Sequence, residues 1–136
     1  MQLDKVQPKN KRQLKQLINY AFKHNIYDLN FIDTSEITDM SLLFSNRMHN
    51  FDVSSWDVSN VTNMGYMFYH CKNFNCDLSN WDVSKVKNMN YMFYNCKKFN
   101  CDLSYWDVSN MTRWKNTFCG CDKMTIPNWY KLYHKK

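Results

Sequence analysis

Six cysteines and a regular series of aspartates carry most of the chemistry this sequence has to offer. Cys71, Cys96 and Cys121 stand 25 residues apart, as do Cys76 and Cys101, while Cys119 lies outside both series. A thiolate can ligate zinc, exchange with a disulfide or act as a nucleophile. Cys-x4-Cys occurs at 71/76 and 96/101, and Cys-x-Cys at 119/121. A zinc site, however, needs four ligands converging on one point, and a 25-residue interval follows a repeat rather than a ligand-spacing rule. Disulfides between neighbouring repeats would have workable Cα separations but parallel Cβ vectors. Free cysteines, in contrast, are among the most buried residue types. The expectation is therefore buried core thiols first, disulfides second and metal last.

The aspartates follow the same interval. Asp57, Asp82 and Asp107 sit in Trp-Asp-Val-Ser motifs, and Asp52, Asp77 and Asp102 precede Val53-Ser54, Leu78-Ser79 and Leu103-Ser104. Stacked carboxylates repel unless each is hydrogen-bonded or screened. Either each caps backbone N–H groups at the turn before a helix, the favoured reading, or a cation lies between them. Nothing assembles an active site. Histidines 24, 49, 70 and 134 do not repeat, and two glycines cannot build a phosphate-cradling loop. Asn60-Val-Thr and Asn110-Met-Thr match the glycosylation pattern, as chance allows in so asparagine-rich a chain. The expectation is a non-enzyme without cofactor or metal.

These residues are positioned by a repeat. Trp56, Trp81 and Trp106 each open Trp-Asp-Val-Ser, and Met64 with Met89, Phe68 with Phe93 and Phe118, and Phe74 with Phe99 keep step. A period of 20–50 residues marks a stacked array whose units cannot bury a core alone. Within one unit, Phe74, Cys76 and Leu78 alternate with Asn75, Asp77 and Ser79, the period of a half-buried strand. Val86, Met89, Met92, Phe93 and Cys96 are spaced by three and four, as on one helix face after a Ser84 N-cap. The spacing predicts an α/β, right-handed solenoid of about four strand-plus-helix coils, with units starting near 32, 56, 81 and 106. Trp56, Trp81, Trp106, Met64, Met89, Phe68, Phe93, Phe118, Cys71, Cys96 and Cys121 form its core. Asn75, Asp77, Ser79, Asn100, Asp102 and Ser104 point outward from the strands as a candidate binding face.

The ends differ from the body. Residues 1–31 form a lead-in with an amphipathic capping helix over 9–25, its stripe being Leu14, Leu17, Ile18, Ala21 and Phe22. The array occupies 32–126. Residues 127–136 form a C-terminal cap and basic tail, with Pro127, Trp129, Tyr130, Leu132 and Tyr133 folding over the last coil. Net charge is +6: +4 over residues 1–30, −3 over 31–110 and +5 over 111–136. Basic side chains do not gather on one continuous face, so nucleic acid is not an expected partner. No apolar stretch reaches membrane-span or signal-core length, which by itself points to the cytoplasm.

The whole unit, Trp-Asp-Val-Ser-Asn-Val-Thr-Asn-Met-x-Tyr-Met-Phe-Tyr-x-Cys-Lys-x-Phe-Asn-x-Asp-Leu-Ser-Asn, resembles the BspA-like leucine-rich-repeat family of bacterial surface proteins. The resemblance covers about residues 32–130 and includes the lysine-rich helix before Ile32-Asp-Thr-Ser-Glu-Ile-Thr-Asp-Met40. It implies a leucine-rich-repeat-like fold and adhesion or protein binding at a cell surface. Cys76 and Cys101 replace the glutamine common in that family. The combined expectation is a monomeric, non-catalytic protein-binding module that uses its polar strand face. The alternative is a cysteine-based metal-binding or redox protein.

Overall fold

The computed structural model describes residues 5–134, with the side chains of 133 and 134 left aside. The first four residues and the last two of the basic tail lie outside the described residues, as does the side chain of Tyr133. Four coils, marked by Asp39, Asn63, Asn88 and Arg113, stack through parallel bridges from each to the next. The expected strand-plus-helix coils do not form. Among the described residues there are two helices, α1 (Lys11–Lys23) and α2 (Asn128–His134), both outside the repeats, and no strand or sheet. The fold is therefore not an α/β leucine-rich-repeat-like solenoid.

The three-residue spacing has another cause. In one coil the N–H groups of Trp81, Val86, Met92, Cys96 and Phe99 donate to the carbonyls of Leu78, Val83, Met89, Phe93 and Cys96. Each coil is thus a succession of tight turns closed by bonds to the third residue back. This spaces apolar residues by three, as a helix face would. Left-handed residues prevent helical propagation: Leu42, Tyr66, Tyr91 and Asn116 have φ of 52–61°, and Asn46, His70, Asn95 and Gly120 have φ of 59–79°. Bulky residues tolerate this because the conformation turns their N–H groups onto the next coil. Tyr66 N–H donates to Asn90 and His70 N–H to Tyr94, each at 2.8–2.9 Å.

The predicted strand run does alternate: Phe74, Cys76 and Leu78 are buried, and Asn75, Asp77 and Ser79 exposed. Its backbone pairs with side chains instead of another backbone. Asn75 N–H donates to the Asn50 carboxamide oxygen, and Leu78 N–H to Cys101 Sγ. Indole N–H groups occupy the carbonyls: Trp56, Trp81, Trp106 and Trp129 donate to Leu29, Val53, Leu78 and Leu103 at 2.9–3.1 Å. A ladder of backbone bonds has no free partners there.

The core lies along the stack axis. Phe44, Phe68, Phe93 and Phe118 stack face to face at 5.4–5.7 Å with planes within 7°. Met64, Met89 and the three Trp-Asp-Val-Ser tryptophans are buried beside them. Helix α1 starts at Asn10, whose side chain accepts from Gln13 N–H at 2.9 Å. Leu14, Ile18 and Ala21 are buried, and Leu17 and Phe22 pack partly on the first coil. Lys11 reaches Ser41 Oγ at 2.8 Å, and Arg47 reaches Asn19 at 2.5 Å, so α1 runs along the first coil. At the other end Trp129 and Tyr130 pack against Phe118, whereas Leu132 is exposed.

Candidate functional site

The outward residues of the alternating run line a groove parallel to the stack. Tyr27, Asp28, Asn50, Asp52, Ser54, Asn75 and Asp77 surround an open depression of about 440 Å³. A second of about 480 Å³ shares Asn75, Cys76 and Asp77 and continues through Ser79 to Asn100 and Asp102. A third, about 380 Å³, runs from Asn100, Asp102 and Ser104 to Pro127 and Asn128. Asn75, Asp77, Ser79, Asn100, Asp102 and Ser104 therefore lie on one continuous surface. The column Asp28, Asp52, Asp77 and Asp102 runs its length, and no lysine or arginine lines any of the three depressions.

Each carboxylate is held by its own turn. Asp77 Oδ1 accepts from Ser79 N–H at 3.0 Å and Ser79 Oγ–H at 2.6 Å, and Asp102 accepts likewise from Ser104. The same bond joins Asp57, Asp82 and Asp107 to Ser59, Ser84 and Ser109, so these aspartates cap turns rather than helices. The Ser79 and Ser104 hydroxyls hold Asp77 and Asp102 below the ordinary carboxylate range, and the Ser54 N–H does the same for Asp52. The groove is consequently anionic at neutral pH. Its asparagines are committed to the stack: Asn50 accepts from Asn75 N–H, and Asn75 from Asn100 N–H.

The thiols are occupied one by one. Cys71, Cys96 and Cys121 donate to the carbonyls of Phe44, Phe68 and Phe93 at 2.9–3.0 Å. Burial pushes Cys71 and Cys121 up to about 12 and raises Cys96 as well. Cys76 and Cys101 point to the carboxylates one coil earlier, Asp52 and Asp77, each at 3.6 Å. Burial is the main cause that lifts both, Cys76 to about 12. All six are free, and Cys119 is exposed. Among the described residues no three His, Cys, Asp or Glu side chains come together as a metal would require. A thiol kept protonated is a poor ligand and a poor nucleophile.

The sequence reading missed a second surface. Tyr66 stacks on Tyr91 at 4.9 Å and Tyr69 on Tyr94 at 5.3 Å, and His70 meets the edges of Tyr69 and Tyr94. The signal was Tyr-Met-Phe-Tyr at 66–69 and 91–94, with tyrosines three apart on one turn. The same two columns carry Leu42 and Ser45 in the first coil and Asn116 and Cys119 in the last, so the aromatic patch is confined to the two central coils.

A family model described as "Mycoplasma protein of unknown function, DUF285" matches residues 12–129. The chain belongs to this family. In this DUF285 chain the matched region begins inside α1 and ends inside α2, so both helices are joined to the repeats within it. No curated protein and no solved structure matches the chain. Among the described residues no helix is long and apolar enough to cross a membrane.

Proposed function

We propose that this protein is a non-catalytic binding module whose acidic groove holds an extended, basic segment of a partner protein. The observation that carries the reading is the row of three adjoining depressions threaded by four stacked carboxylates, with no cationic side chain on their walls. Field lines from a column of like charges add, and lysines or arginines entering the groove lower that repulsion. The carboxylates are already fixed by their turns, so little side-chain freedom is lost on binding.

The fold supplies its own neutral control. Asn63 and Asn88 make the same turn bond to Gly65 and Asn90 N–H, at 2.9 Å, that aspartate makes elsewhere. Changing Asp52, Asp77 and Asp102 to asparagine therefore removes charge and keeps the turns. The probe is a fluorescein-labelled peptide of four Lys-Thr repeats, followed by anisotropy at several salt concentrations. The expected result is binding that weakens with salt and falls at least tenfold in D52N/D77N/D102N. Equal binding by the triple variant, or none by the natural chain, overturns the reading.

A further inference from the structure

The two ends of the stack are chemically different. In each coil four N–H groups point toward the next coil. Those of Met40, Leu42, Phe44 and Asn46 donate to Asn63, Gly65, Met67 and Tyr69. Met64, Tyr66, Phe68 and His70 donate to Asn88, Asn90, Met92 and Tyr94, and Met89, Tyr91, Phe93 and Asn95 to Arg113, Lys115, Thr117 and Cys119. Twelve bonds therefore run in one direction along this part of each coil, while just before it Thr62, Lys87 and Thr112 N–H donate the other way, to Thr38, Thr62 and Lys87. At the last coil the series stops. The N–H groups of Asn116, Phe118 and Gly120 have no acceptor among the described residues. Helix α1 runs along the corresponding carbonyl side of the first coil, through Lys11 to Ser41 and Asn19 to Arg47. Helix α2 packs through Tyr130 on the Phe118 ring, and Asn116 and Gly120 remain only half-buried.

Charge changes at the same place. The bridge column reads Asp39, Asn63, Asn88 and then Arg113, and the position two residues on reads Ser41, Gly65, Asn90 and then Lys115. Both cationic residues are exposed. An unpaired row of N–H donors flanked by cations needs a partner that brings acceptors at alternate residues together with negative charge. The matching edge of a second copy brings donors against donors and cations against cations, and does not fit.

We propose that residues 113–120 form a docking edge for an acidic segment of a partner protein, which takes up the turning backbone of a further coil on the stack. Its backbone carbonyls take the N–H groups of half-buried Asn116 and Gly120, on either side of Phe118, which Trp129 and Tyr130 bury, and its carboxylates meet Arg113 and Lys115. This edge is separate from the acidic groove and selects the opposite charge.

The test titrates isotope-labelled full chain with a peptide of four Glu-Val repeats. Amide signals of Asn116 and Gly120 are expected to shift, and their hydrogen exchange to slow. R113E/K115E is expected to lower affinity at least tenfold, R113Q/K115Q less, and D52N/D77N/D102N not at all. Three results overturn the proposal. One is unchanged affinity in both edge variants. Another is the same amide shifts with inorganic phosphate alone, which marks a general anion contact. The third is concentration-dependent shifts at these amides without peptide, which marks self-association.

Discussion

The reactivity of the six thiols follows from where each points. Cys71, Cys76 and Cys121 are raised from about 9 to about 12 by burial, and Cys96 is raised too. Three pH units lower the thiolate fraction at pH 8 by about a thousandfold relative to the unfolded chain. Burial also denies the reagent access, so these four react only through opening of the stack. Cys101 is half-buried with its own upward shift, and Cys119 is exposed. Ellman's reagent on the reduced native protein at pH 8 is expected to give one fast thiol, one slower thiol and four that wait for guanidinium. Cys119→Ser removes the fast phase and leaves the rest. Four or more thiols reacting at the unfolded rate in the native protein would refute the reasoning. Fewer than six thiols in the unfolded chain, recovered only by reductant, would refute the free-thiol assignment itself.

Further outcomes can be checked by unfolding experiments. On the alkaline side the unfolded thiols ionise near pH 9 while the native ones stay protonated, so stability is intact below 9. Above it, stability falls by about 1.4 kcal/mol per pH unit for each buried thiol, and Cys71→Ala gives a shallower slope of melting temperature against pH. On the acid side Asp52 and Asp77 lie below their unfolded value near 3.8, so their contribution is present above that pH and is lost as pH falls through the native value. A melting temperature flat from pH 5 to pH 2 would contradict this. Phe93→Ala is expected to cost about 3–5 kcal/mol because its ring stacks between Phe68 and Phe118, while exposed Tyr105→Ala should stay within about 0.5 kcal/mol in denaturant melts. Gly120→Ala sets a Cβ into Asn95 Oδ1 at a φ of +79° and is expected to cost more than about 1 kcal/mol, measured the same way.

The repeat was legible because tryptophan, phenylalanine and cysteine recur at a fixed interval, and stacking identical positions buries identical residues. The helix over 9–25 was legible from its stripe and from Asn10, and it is present as Lys11–Lys23. The interior of the unit was not. A spacing of three at Val86, Met89 and Met92 serves a helix and a chain of tight turns equally well. The deciding feature, a left-handed Tyr91 and Asn95, has no mark in residue type when a tyrosine adopts it. Likewise the alternation at Phe74–Leu78 describes burial correctly but says nothing of where the N–H groups go. Asparagine, cysteine and tryptophan side chains took the bonds a strand would have used. The groove residues could be named because outward polar positions repeat. The donor edge could not, because it depends on which way the backbone of the last coil faces.

The bonding of each coil to the next also has a mechanical consequence. Each coil is tied to its neighbours alone, so a pull on the two termini loads the interfaces in series. The chain should then lengthen in discrete events of one coil each, and 25 residues paid out as extended chain span roughly 80–90 Å. One indole N–H bond and one contact between stacked phenylalanine rings must part at each event, which makes a coil, rather than the domain, the unit of rupture.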